Sequence, residues 1–189
     1  MRELPPPRDL SAVPRQLISE LTALVPEAEV AGDCVALLEG ADPEEYAPLL
    51  PHLAGRPGIA GFPEYWPRVW AARGLLYVWD DSAAGPVLDG LRDEHWRVAE
   101  MCLKVSAKRE LPAAEDTIRL VNYELPRVRA AAVRALGVGG DTEHVDAVVT
   151  ALSDPEEQVR RAAARALERM EKRLDLPPHR AVEQWLVSR

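Results

Sequence analysis

The chain has 189 residues and a formal net charge of −8; 47% of its side chains are hydrophobic, 29% charged and 5% aromatic. That apolar fraction can fill a core and excludes a disordered chain. The acidic balance runs against general binding to nucleic acid or anionic membranes, which asks for a cationic footprint.

No run approaches the roughly 18 apolar residues of a membrane helix. Residues 1–7 hold no apolar stretch, so no secretory signal is expected and the cytoplasm is the expected location. Residues 1–10 are proline-rich and predict an extended arm. Residues 11–25 predict an amphipathic helix with Leu17, Ile18, Leu21, Leu24 and Val25 on one side. Residues 30–38 predict a short helix around Cys34, read as a buried reduced thiol. Asp42-Pro43-Glu44-Glu45 opens another helix, which Pro48 and Pro51 shorten or kink. Residues 54–63 read as a loop.

From there the chain repeats. Val128-Arg129-Ala130-Ala131-Ala132-Val133-Arg134-Ala135-Leu136 matches Val159-Arg160-Arg161-Ala162-Ala163-Ala164-Arg165-Ala166-Leu167 at an offset of 31. Val98 and Val69 extend the register upstream, and Cys102 is a second buried thiol of this pattern. Ala84, Leu88 and Leu91 match Ala114, Ile118 and Val121, which match Val145, Val149 and Leu152. The unit is a helix A, a turn, a helix B and a turn, with limits near 64–92, 93–122, 123–153 and 154–174. Such hairpins bury their faces only when stacked, which predicts an all-α, right-handed solenoid. Ser153 or Asp154 is the expected cap of the last A helix, with Pro155 in its first turn. Gly137, Gly139 and Gly140 are the expected turn after Leu136. Residues 175–189 predict a closing helix over 179–187, and the whole reads as one continuous domain with residues 1–63 as an irregular cap.

The string from Val128 to Asp141, and Asp154-Pro155 followed by Val159-Arg160, resemble the short HEAT repeat, of the type also found in phycobilin lyases. The resemblance spans residues 64–174 and is strongest in the last two units. Ala99 and Tyr123 depart from it, standing where the family has Arg and Asp. It implies that Asp154, Arg129 and Arg160 belong to a structural ladder. It also implies a scaffold or recognition surface with no fixed chemistry.

No catalytic residue or cofactor is read from the sequence. His52, His95, His144 and His179 lie far apart and read as surface or turn histidines, so no metal site is expected. The segment 62–79 holds six of the ten aromatics, and Trp96 follows one repeat after Trp66. These rings either fill the junction of cap and first hairpin or edge a binding site comprising Tyr65, Trp66, Trp70, Arg73 and Trp96. Arg161, Arg165 and Arg169 form a stripe interleaved with Glu157, Glu168 and Glu171, which reads either as an ion-paired solvated face or as a patch for phosphate or an acidic protein. The B helices offer Glu115, Asp116, Arg119, His144 and Asp146 to a partner.

The leading reading is therefore a non-enzymatic scaffold whose partner is another protein. A second is an accessory protein holding a small ligand or carrier-bound intermediate at the aromatics. A third resembles the HEAT-like alkylpurine DNA glycosylases, with Trp66, Trp70 and Asp80 or Asp81 at the site; the scarcity of cations on the B helices runs against it.

The charge is unevenly spread. Residues 1–90 hold 6 basic and 14 acidic side chains; residues 91–189 hold 17 of each. The acidity belongs to the cap. Ala163→Leu should overpack the alanine seam and lower stability by about 1–3 kcal/mol in urea unfolding.

Overall fold

The computed structural model describes residues 3–58 and 60–176, which are helical without a strand. The expected closing helix over 179–187 lies outside them. Two compact units divide the chain, Met1–Val105 and Ser106–Arg189.

The first unit opens with an ordered arm. Pro7 is buried, the backbone N–H of Arg8 donates to Glu20, and the carbonyl of Pro5 lies 3.1 Å from Nε2 of His52. His52 is thus an interior residue, not the surface histidine expected. Helix α1 (Pro14–Thr22) starts later than expected because Pro14 occupies its first position. It also stops earlier, before the chain reaches Pro26, so Leu24 leaves the apolar face and is exposed. Helix α2 (Glu27–Leu38) starts a turn earlier than expected; Glu27 and Glu29 favour its positive end. A 3₁₀ turn (Pro43–Tyr46), capped by the Asp42 carboxylate, leads to the short α3 (Leu50–Ala54). Helix α4 (Trp66–Gly74) packs on α2 and α3. Helix α5 (Ala84–Asp89) runs through a 3₁₀ turn into α6 (Trp96–Arg109). Burial pushes the thiols of Cys34 and Cys102 far above their ordinary range and keeps them protonated.

In the second unit, α7 (Ala114–Thr117) precedes α8 (Pro126–Gly139), and α9 (Val145–Thr150) precedes α10 (Glu157–Leu174). The B helices α7 and α9 are only 4 and 6 residues long and tighten into 3₁₀ turns. Their β-branched Thr117, Ile118, Val145, Val148, Val149 and Thr150 favour the α-helix weakly. Helix α8 packs along α10 over alanines, with Ala132 and Ala163 fully buried.

Gly137 corrects the sequence reading. It lies inside α8, which continues to Gly139, and a Cβ there would stand 2.6 Å from both Cα and Cβ of Ala166. The glycine admits a neighbouring helix; it does not form a turn. Pro155 likewise precedes α10, whose cap position is Glu156. Asp154 acts earlier, accepting the Glu156 N–H at 2.9 Å.

A guanidinium crosses from one hairpin to the turn opening the next. Arg129 donates through Nε (2.7 Å) and Nη2 (2.9 Å) to the two oxygens of Asp154, and through Nη1 to the carbonyls of Tyr123 and Glu124. Arg160 repeats the carbonyl contacts, to Asp154 and Pro155. In the first unit Arg68 grips Asp93 in the same way, at 2.9 and 3.3 Å. Arg68 precedes Val69 whereas Arg129 follows Val128, yet both span 25 residues to their aspartate.

Gly137→Ala should lower stability by about 1–3 kcal/mol, because backbone overlap outweighs alanine's helix preference; chemical denaturation checks this. The Arg129 hydrogen bonds hold the Asp154 carboxyl below its ordinary value of 3.8. The pair therefore stabilises the fold fully above that value and ceases to as pH falls through the lower folded-state value. Asp154→Asn should cost about 2 kcal/mol at pH 7, and the deficit should shrink in acid; denaturation at several pH values checks it.

Candidate binding surfaces

In the first unit the loop before α4, the start of α4 and the start of α6 bring six rings together. Trp66 and Trp70, one helical turn apart, stack with centroids 5.7 Å apart. Phe62 meets both edge-on, at 6.2 and 5.4 Å. Tyr65 lies flat on His95 at 3.3 Å, and Trp96 follows His95 at 5.9 Å. The Arg97 guanidinium lies 4.3 Å from the Trp96 ring centroid, 5.5 Å from Trp66 and 5.9 Å from Tyr65.

The cluster divides by burial. Trp70 is only 3% exposed and belongs to the core, so its place in an accessible site is corrected. Tyr65, Trp66 and Trp96 are half-buried. Arg73 also leaves the site: its Nη2 donates to the Leu53 carbonyl, and burial lowers its pKa. Sequence reasoning missed His95 and Arg97, although both adjoin Trp96. Burial, then the charge of Arg97, lowers the His95 pKa and favours the neutral ring. The backbone N–H of His95 donates to Asp93, and its ring Nδ1 accepts the backbone N–H of Arg97 at 3.3 Å. Phe62 also borders a groove of about 360 Å³ with Leu37, Pro43, Pro67 and Arg68.

Asp80 and Asp81 serve turns. Asp80 accepts the N–H and hydroxyl of Ser82, which hold its carboxyl below the usual range, and Asp81 accepts the Trp79 indole N–H at 3.0 Å. Neither carboxylate is offered in a sheltered position.

In the second unit charge separates by element. Helices α8 and α10 carry nine basic and three acidic side chains; the segments 114–122 and 142–153 carry one basic and four acidic. Glu115, Glu143 and Asp146 are exposed, as is Arg119, while Asp116 is partly covered. A groove of about 570 Å³ runs past Tyr123, Glu124, Thr150 and Asp154. His144 is buried, which corrects its expected place on this face. Its Nδ1 accepts the Asp141 N–H at 3.0 Å and completes a capping box.

Side-chain atoms of Glu115, Glu143 and His144 lie within 4.8 Å of one another, a grouping their sequence spacing concealed. The capping bond occupies the Nδ1 lone pair, so the neutral ring carries its proton on Nε2 and presents no free lone pair. The donor set therefore does not fit a metal without breaking the cap.

Residues 117–182 match the family model for HEAT repeats. A solved structure, the complex of CpcE and CpcF of phycocyanin lyase from Nostoc sp. PCC7120, is similar over 100% of this chain and 74% of the other, with 19% identity and a TM-score of 0.58. At that identity the likeness speaks for the fold alone. No curated protein matches the sequence. The HEAT repeats are thus matched in residues 117–182, and the fold as a whole is HEAT-like. No helix among the described residues is long and apolar enough to cross a membrane.

Proposed function

We propose that this chain is a non-catalytic, cytoplasmic binding protein whose α7 and α9 face receives a basic segment of a protein partner. The segregation of charge in the second unit carries this reading. A unit with nearly balanced charges would present a mixed surface if they were interspersed; here the A helices hold the cations and the B segments the carboxylates. Exposed carboxylates attract and orient a cationic chain, a gain felt mainly in encounter and specificity.

The half-buried rings of Tyr65, Trp66 and Trp96 favour a second reading, a small ligand or carrier-bound intermediate held in the first unit. Likeness to chains of a phycocyanin lyase is consistent with it and assigns no chemistry to it.

The test is a fluorescence titration with a labelled dodecapeptide of alternating lysine and alanine. Glu115→Lys with Glu143→Lys and Asp146→Lys should weaken binding roughly tenfold or more, about 1.4 kcal/mol, and added salt should weaken the unaltered protein. Arg134→Glu with Arg165→Glu, on the A helices, should not weaken it. Equal behaviour of the two variants, or no binding to the unaltered protein, overturns the proposal.

A further inference from the structure

We propose that Arg97, with the faces of Tyr65, Trp66 and Trp96, forms a site for a small, flat, conjugated molecule carrying a single carboxylate. This rests on the second reading above and names its ligand class.

Arg97 is half-buried, and its cation is packed against rings. Among the described residues its guanidinium N–H groups meet no acceptor; only its backbone N–H is used, on His95. The acids nearest in sequence are already engaged. Asp93 takes two bonds from Arg68, Glu94 lies 3.5 Å from Arg68 Nη2, and Glu100 lies 2.7 Å from Lys104 Nζ. His95 favours the neutral form. The Arg97 guanidinium therefore lacks a hydrogen-bonded counterion in a partly desolvated setting, where a charge-assisted bond gains most.

Geometry selects the counterion. A guanidinium carries its N–H groups in a single plane, as a fork. That planar fork matches the two oxygens of a carboxylate. Arg56, the other cation on the cluster, lies over Phe62 at 4.8 Å and is exposed, so the half-buried charge fits a monoanion. Tyr65, Trp66 and Trp96 are half-buried, so the exposed parts of these rings beside Arg97 provide apolar surface for the ligand's conjugated body.

The experiment is a nitrogen-15 NMR titration of the full chain, following the indole N–H signals of Trp66 and Trp96. The ligands used are 2-naphthoate and its neutral analogue 2-naphthamide. Naphthoate should shift both signals saturably and bind roughly tenfold or more tighter than the amide. Arg97→Gln should reduce naphthoate to the level of the amide, and Arg97→Lys should fall between, since it keeps the charge and loses the fork. The amide comparison uses unaltered protein and needs no variant to fold. Equal affinity for acid and amide overturns the carboxylate assignment and leaves the small-ligand reading standing. Undiminished naphthoate binding by Arg97→Gln overturns the role of Arg97. No shift with either compound at millimolar concentration overturns both readings.

Discussion

The bidentate bond between an A-helix arginine and the aspartate opening the next hairpin organises both units. It does three things at once. It fixes the approach of successive layers, neutralises a largely buried carboxylate, and leaves that carboxylate able to hold the N–H two residues on, that of Glu156 or His95. Losing the arginine would leave the aspartate desolvated without its counter-charge, the costly half of a broken pair. The alanine seam between α8 and α10 works within that frame. Small side chains permit close approach, and Gly137 marks where even a methyl group would be too much.

Much of this was legible because repeats betray themselves. Period 31, the alanine runs and the Asp–Arg spacing are local signals, and they located α8 and α10 with their partners. The first rung was hidden because its donor moved. Trp70 occupies the position corresponding to Arg129, and Arg68, two residues earlier, takes over the bond. Glycine was misjudged for a physical reason: after a leucine at a helix end it suggests a turn, and only the position of Ala166 shows that it serves close packing. His52 and His144 were misplaced because polar residues are mostly exposed, and both instead find backbone partners inside.

The candidate surfaces were half legible. The density of tryptophan pointed to the right segment, but composition does not distinguish Trp70, which fills the core, from Trp66 and Trp96, which reach the surface. It also hid Arg97, whose guanidinium meets no acceptor among the described residues, a property of three-dimensional surroundings alone. The charge told a similar story. A neutral total for the C-terminal half concealed a division by element that only the placement of the helices reveals.

The conservation of a 25-residue span, despite the slip in donor position, has a consequence for how such a chain can grow. The span, more than the length of the repeat, is the joint. Arg160 already holds the carbonyls of Asp154 and Pro155 as Arg129 holds those of Tyr123 and Glu124, but the residue 25 positions on is Trp185, not an aspartate. Among the described residues its guanidinium is half of a coupling. An aspartate supplied at that distance, at the start of one more hairpin, would give the array a connector for extension by whole modules, with the existing helices left as they are.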